Sequence, residues 1–337
     1  MSAPRTSPLP SSLSNWLYAC IDPSDIHDVE IIQPLWNGYG YCIRCYRNSA
    51  PPIVVKAVLV PENGHTHPKG WNTSASDARK RRSFDVEQRF YQKYAARLKG
   101  VRVAGLLNAF EKPDGWLFML EDLNAAGFDQ RASSLTFSQA TCVIEWLAGF
   151  HACFLGDKGE GLWEQGCYWH LATRQDELTA MAECPLKDAA AELDRLLRDC
   201  PYQTIVHGDA KVANFCFTKG FGHCAGLDFQ YTGRGPGIID IAYFIGSAFE
   251  ESQLQQYESS LLQHYFTALK RELQASLPAE AIDQVIHAWQ ALYPVACADF
   301  LRFIMGWCPD HWKNNAYLNE RANAGLTTSG YSKKTKR

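Results

Sequence analysis

Three oxygen-bearing side chains stand in order in the second half of the chain. Asp209 lies in TIVHGDAKVANFCF, Asn214 follows five residues later, and Asp228 comes fourteen beyond that in GLDFQYTGRGPGIIDIAYF. Phosphoryl transfer asks little covalent help of a protein; it needs positioned Mg²⁺ ions, a clamp on the phosphates and an oriented nucleophile. A hard cation takes oxygen ligands, usually one or two carboxylates with the phosphates completing the set. An Asp at a strand end, an Asn one loop further on and an Asp on the next hairpin supply such an arrangement. Taken singly, HGD reads as a turn, Asn214 as a turn residue and Asp228 as a solvated loop acid. The three together, in this order and spacing, argue for a metal-assisted phosphotransfer centre.

The amino-terminal half offers a second, independent pair. Lys56 lies inside IVVKAVLV, an apolar strand in which a lone ammonium is costly to bury. Glu87 shares a helix with Phe84 and Tyr91 at i−3 and i+4, hence its apolar face. Opposite charges pointing inward from neighbouring elements should meet, and a strand-to-helix Lys–Glu pair is what kinases use to hold the α/β-phosphates. The bland alternative is an edge-strand Lys56 that snorkels and a solvated Glu87.

Around these residues the chain divides by composition. Residues 1–15, with the Pro/Ser-rich MSAPRTSPLPSS, are expected to be disordered. From Ile31 to Val60 short strand-like runs are broken by Asn-Gly and Pro-Pro, the rhythm of a β-meander. Residues 61–82 read as a long polar loop, followed by a helix over SFDVEQRFYQKYAARL with Ser83 at its cap. LLNAFEKPDGWLFMLEDL reads as two strands joined at Pro113-Asp114-Gly115. Beyond Leu123, residues 135–155 and 251–320 have helical period, and between them lie runs such as Thr204–Val206, Phe215–Phe217 and Ala225–Leu227 that suit strands. The expected fold class is therefore α+β. A β-rich part over 16–123 precedes a mostly helical part over 124–325, with a basic flexible tail over 326–337.

Other motifs carry less. Cys42 and Cys45 form a CxxC, but on a strand positions three apart face opposite ways, and no second ligand pair follows. The twelve cysteines sit mostly in apolar company and read as reduced, buried thiols. Gly233–Gly237 (GRGPG) lacks the βαβ setting of a dinucleotide site and reads as a turn. Arg79-Lys80-Arg81-Arg82 reads as a solvated basic patch able to attract nucleotide phosphates. GxxxxGK[ST], HExxH and GxSxG are absent, and Asn72-Thr73-Ser74 matches a glycosylation sequon without a secretory signal to give it meaning.

The balance of 33 Lys and Arg against 36 Asp and Glu leaves a net charge of −3, so no basic footprint for nucleic acid is expected. With 46% hydrophobic residues, no apolar run near a membrane span's length and no signal-peptide core, the sequence reads as a cytoplasmic globular protein. Its oligomeric state is left open.

HGDAKVAN and LDFQ resemble the HGDxxxxN and iDF motifs of the aminoglycoside phosphotransferase and choline kinase superfamily. HPKGWN, SFDVEQRFY, LEDL, LAGFHA and YWHLATRQDEL narrow the resemblance to its ecdysteroid-kinase-like (CHK kinase-like) branch, across roughly residues 35–310. The resemblance implies a protein-kinase-like two-lobed fold, with ATP as cosubstrate and Mg²⁺. It implies that Asp209 orients or deprotonates the acceptor hydroxyl, that Asn214 and Asp228 bind Mg²⁺, and that His207 and Asp240 brace the catalytic loop. Glu121-Asp122-Leu123 would be the hinge whose backbone binds adenine, while the carboxylates of Glu121 and Asp122 read better as caps of the following segment. Gly38-Tyr39-Gly40 stands where a phosphate-covering hairpin belongs, although Ile43 replaces a third glycine and a plain turn explains it as well.

Eleven residues separate Asp228 from Asp240, too few for a peptide-docking segment, which favours a small-molecule alcohol or amine as acceptor. Six of the ten tryptophans fall in the helical part, where aromatics could cage an ammonium or stack on a ring. Tyr168, Trp169, Arg174, Asp299 and Arg302 are the acceptor-pocket candidates. Two rival readings are a nucleotide-binding pseudokinase scaffold, which should have lost one of Asp209, Asn214, Asp228 or Lys56, and a metal hydrolase, which should show His-rich ligand spacing.

Overall fold

The computed structural model describes residues 9–60 and 74–331. The chain begins with a helix, α1 (Ser11–Cys20), and then three strands, β1 (Ile26–Pro34), β2 (Gly40–Arg47) and β3 (Ile53–Leu59). A long helix, α2 (Ser74–Lys93), leads to β4 (Arg102–Val103), β5 (Leu106–Lys112) and β6 (Gly115–Glu121). Five of these strands form one antiparallel sheet in the order β1-β2-β3-β6-β5, which places the Lys56 strand at its centre.

Central strands with both faces covered carry continuous apolar sequence, and β6 is buried along six of its seven residues. On one face Val58, Trp116, Phe118 and Leu120 join the main core beneath α2. On the other, Val55, Ala57, Leu117 and Met119 pack under Leu9, Leu13 and Leu17. The expectation of disorder over 1–15 is corrected here for the described residues. Leu9, Leu13 and Leu17 recur at helical spacing and cover sheet area that would otherwise face water.

The second lobe is mostly helical, as expected. After α3 (Phe137–Cys153), opened by a Thr136/Gln139 capping box, come α4 (Gln175–Ala180), α5 (Pro185–Asp188) and α6 (Ala190–Arg198). The short strands β7 (Thr204–Val206), β8 (Phe215–Phe217), β9 (Cys224–Gly226) and β10 (Gly233–Gly235) precede the helices α7 (Ile238–Ala248), α8 (Glu251–Leu273), α9 (Ala279–Trp307) and α10 (Ala316–Thr328). β8 and β9 form a hairpin, and β4 adds to it in parallel through Arg102–Ala225 and Val103–Gly226, so the end of the first lobe is stitched to the second.

Four further expectations are corrected. The helix around Glu87 starts at Ser74 rather than Ser83; Ser83 is buried within it and donates to the Lys80 carbonyl at 2.6 Å. The first three residues of GRGPG, Gly233–Gly235, form a short strand paired with β7, where Trp163 leaves no room for a Cβ at Gly233. Residues 326–328 complete α10 instead of opening a tail, because Leu326 is buried. All twelve cysteines are free, but six are buried, five are half-buried and Cys153 is exposed. HPKGWN, the sequon's Asn72 and Thr73, and residues 332–337 lie outside the described residues.

Leu17 is fully buried, so Leu17→Ala is expected to cost about 3 kcal/mol by cavity formation. Denaturant unfolding measures this; a loss below about 0.5 kcal/mol would mean that α1 is not docked on the sheet.

Candidate active site

The loop after β7 is held by one buried carboxylate. Asp240, in the first turn of α7, accepts hydrogen bonds from the backbone N–H of His207 at 2.6 Å and of Gly208 at 2.9 Å. Its Oδ2 also lies 3.1 Å from Nε2 of His151, and both side chains are fully buried. The His207 ring bridges to the next hairpin: Nε2 donates to the Leu227 carbonyl at 2.9 Å, and Nδ1 accepts from the Asp209 N–H at 3.3 Å. Gly208 has φ +80°, and a Cβ there would lie 2.1 Å from the Tyr231 carbonyl oxygen. Only glycine suits that position.

This scaffold points Asp209 into the molecule. Its Oδ2 accepts from Asn214 Nδ2 and from Lys211 Nζ, each at 2.9 Å. Its Oδ1 is buried with no hydrogen-bond partner. Burial pushes the carboxyl above its ordinary value, against the attraction of Lys211. Asn214 is tied in turn to the Asp209 carbonyl at 2.8 Å, while its own carbonyl accepts from Leu227 N–H at 2.8 Å. The loop and the Asp228 hairpin are thereby locked together.

Asp228 sits at φ +64°, a left-handed conformation that Asp tolerates better than most residues. The next side chain anchors it: Phe229 stacks on Phe90 of α2 at 3.8 Å between centroids and meets His207 at 4.9 Å. The Asp228 carboxylate, with 38% of its side chain accessible, faces Lys56 at 3.4 Å. Burial works against its charge, but Lys56, Lys80 and Lys211 together hold its pKa down to about 2.

Lys56 and Glu87 meet, as expected, at 2.6 Å. Burial opposes the charge on Lys56, yet Glu87 and then Asp228 raise its pKa; burial raises that of Glu87 while Lys56 draws it back. The basic run of α2 is not a solvated patch. Arg79 donates to the Thr173 carbonyl at 2.6 Å, Lys80 to Gln230 at 2.6 Å, and Arg82 to the Leu162 carbonyl at 3.0 Å, all across the lobe boundary. Arg81 stays within the first lobe on Asp77 and Asp114.

These groups border a cavity of about 730 Å³ between the lobes, lined by Asp209 and Asp228 and walled by Tyr168, Tyr231, Tyr243, Phe300, Phe303 and Trp307. Trp36, from the turn before β2, reaches it from the other lobe. A second cavity of about 740 Å³ between α8 and α9 shares no lining residue with it. Tyr168 and Arg174 stand on the wall as expected, with Arg174 donating to Glu177 at 2.9 Å. Trp169, Asp299 and Arg302 are corrected: they lie in the core, where Arg302 donates to Asp299 and to the Trp169 carbonyl, both at 2.8 Å. Of the six second-lobe tryptophans, Trp307 and Trp312 reach the wall. Sequence reasoning missed Lys211, Gln230, Tyr243 and Lys313. The first two lie within the recognised motifs HGDAKVAN and LDFQ; the others bear no local signal.

At the lobe boundary, Glu121 is held by Arg102 and by the Gly105 N–H at 3.0 Å. Asp122 accepts from the Asn124 N–H at 3.0 Å, the capping role expected of it, and from Arg44 at 2.7 Å. Leu123 is buried. Gly38 and Gly40 flank a single turn in which Tyr39 is buried, and a Cβ at Gly40 would lie 2.0 Å from the Ala57 carbonyl oxygen. No group of three or more His, Cys, Asp or Glu side chains able to hold a metal occurs among the described residues, and no described helix is long and apolar enough to cross a membrane.

If Lys56 and Glu87 act as one unit, Lys56→Met and Glu87→Gln should be strongly non-additive in thermal stability, since removing either partner leaves a buried charge uncompensated at a cost of about 3 kcal/mol or more. A double-mutant cycle gives the coupling; simple additivity would refute it.

Among solved structures, the chain is similar to an aminoglycoside-3'-phosphotransferase of type VIII, with 13% identity over 83% of this chain and 100% of that one and a TM-score of 0.49. It is similar to an ethanolamine kinase from Plasmodium vivax, with 14% identity, 94% and 85% coverage and a TM-score of 0.48. A choline kinase from Cryptosporidium parvum gives 12% identity, 93% and 90% coverage and a TM-score of 0.49. No curated protein sequence matches the chain. The family model that matches describes the ecdysteroid kinase-like family, over residues 169–276, so the segment that carries Arg174, Asp209, Asn214, Asp228 and Asp240 is similar to that family.

Proposed function

We propose that the chain transfers the γ-phosphate of ATP to a hydroxyl or amine of a small molecule, with Asp209 as the base. The observation that carries this reading is the Asp209 carboxylate. Oδ2 is immobilised by Asn214 and Lys211, while Oδ1 is buried, without a partner, in a residue that lines the cavity. Leaving a buried acceptor unsatisfied costs about 1–3 kcal/mol, which an incoming O–H donor recovers.

In this reading the acceptor oxygen, oriented by Asp209, bonds to the γ-phosphorus as the bond to the β,γ-bridging oxygen breaks. ADP leaves and the acceptor proton passes to Asp209. The Lys56 ammonium, held by Glu87, meets phosphate oxygens beside Asp228. Asp228 and Asn214 would hold Mg²⁺; one carboxylate and one amide suit a hard cation whose other ligands are phosphates and water. When bound, Mg²⁺ neutralises charge developing on the phosphates. Backbone of Glu121–Leu123 would meet the adenine, and the turn at Gly38–Gly40 would cover the phosphates. Tyr168 and Arg174 would contact the acceptor.

Asp209→Asn is expected to abolish turnover in an ATP-consumption screen over alcohols, amino alcohols, sugars and sterols while leaving ATP affinity within a few-fold. An active Asp209→Asn protein would refute the assignment. Asp228→Ala is expected to remove the Mg²⁺ dependence of ATP binding in calorimetry, and an unchanged dependence would show that Asp228 is not a ligand. Mg²⁺-dependent binding with no turnover on any acceptor would instead favour a scaffold.

A further inference from the structure

The aromatic end of the cavity holds an ammonium that makes no ion pair or hydrogen bond among the described residues. Lys313 lies between α9 and α10, 8% exposed, and lines the cavity wall. Its Nζ is 4.3 Å from the Tyr243 ring centroid and 5.5 Å from those of Phe300 and Trp312. Among the described residues it has no carboxylate partner and no hydrogen-bond acceptor. The other four cations of the wall are matched: Arg79 by the Thr173 carbonyl, Lys80 by Gln230, Arg174 by Glu177 and Lys211 by Asp209.

Position separates Lys313 from the phosphate-side groups. Lys56 and Asp228 face each other, with Lys80 on Gln230, beneath the first lobe. Lys313 sits with the rings of α7 and α9, and Tyr243 carries its environment to the reacting carboxylate, since burial and then the Asp209 charge push the Tyr243 phenol well above its ordinary value. Ring faces attract an ammonium but do not replace its lost water, so a buried, unpaired cation is costly until an anion meets it. Burial has already pulled the Lys313 pKa down to about 7, against the attraction of Asp209. The same rings would be the natural cage for a cationic acceptor, but the chain's own ammonium fills it.

We propose that the acceptor is an anionic hydroxy compound: a flat apolar body that stacks on the Tyr243, Phe300 and Trp312 walls, with a carboxylate that pairs with Lys313 and a hydroxyl that reaches Asp209. This rests on the cavity being the acceptor site of the phosphotransfer reading. Lys313 is then a specificity residue, and it disfavours amines and quaternary ammonium compounds by like-charge repulsion.

Calorimetry on the intact chain without nucleotide tests the assignment with three matched probes: 6-hydroxy-2-naphthoate, its primary amide, and the analogue in which a trimethylammonium group replaces the carboxylate. The wild-type protein should bind the carboxylate at least about ten-fold more tightly than the amide, with the ammonium compound weakest. Lys313→Met should erase the preference while leaving amide affinity within about two-fold, and Lys313→Arg should retain it. A wild-type protein that shows no advantage for the carboxylate overturns the proposal without recourse to any variant. Lys313→Met should also raise affinity for the ammonium compound by relieving the like-charge repulsion, and a Lys313→Met protein that keeps the carboxylate preference overturns the proposal. These measurements need neither ATP nor turnover, so their failure is distinct from failure of the Asp209 and Asp228 tests.

Discussion

A carboxylate sealed from water at the start of α7 has two backbone N–H groups and a histidine ring around it, and the geometry of the candidate site follows from them. Buried there, the Asp240 oxygens are met by the His207 and Gly208 N–H groups and the His151 ring, which converge on them. His151 belongs to α3, His207 and Gly208 to the end of β7, so one side chain sets the distance between a helix, a strand and a second helix. The constraint passes outward. With Gly208 pinned, the next residue must turn its carboxylate into the cavity. The His207 ring carries the same constraint to Leu227 and so to Asp228. Two aspartates nineteen positions apart are thus placed by a third that does not line the cavity.

The parts legible in the sequence were those where a residue type contradicts its surroundings. Lys56 in an apolar strand and Glu87 on an apolar helix face each demanded a partner, and they found one another. The strands around Asp209 and Asp228 were legible because short apolar runs bounded by turn residues have few alternatives. What escaped were features whose reason lies far away in the chain. The Pro/Ser-rich composition of the first residues outweighed the helical recurrence of Leu9, Leu13 and Leu17, because the face they cover forms only when five strands assemble. Trp169, Asp299 and Arg302 looked like pocket chemistry by residue type, yet they bond to one another in the core. Lys313 has no sequence signal at all, since its cage comes from two helices and a neighbouring tryptophan.

The amino-terminal half of α2 was misread for the same reason. Four consecutive basic residues ordinarily mark a solvated face, but three of these reach carbonyl or amide oxygens of the other lobe. Lys80 is further covered by the Phe84 ring at 4.8 Å, and burial brings its pKa to about 8. The helix that carries Glu87 is therefore positioned from both sides: by the sheet through its apolar face, and by the second lobe through its cations. Lys56, Glu87 and Asp228 meet because both attachments hold at once.

The pairing of β4 with β9 bears on how the molecule divides. By order in the chain, β4 belongs with the sheet of the first lobe; by hydrogen bonding, it is the outer strand of a three-stranded sheet in the second. A fragment starting at residue 124 would leave β9 with an open edge, its N–H and C=O groups available to any extended chain. A fragment ending at residue 123 would carry Arg102 and Val103 with nothing to pair against. Separately expressed lobes would therefore be prone to edge-to-edge association, and the two halves are better regarded as one unit of folding than as modules joined by a hinge.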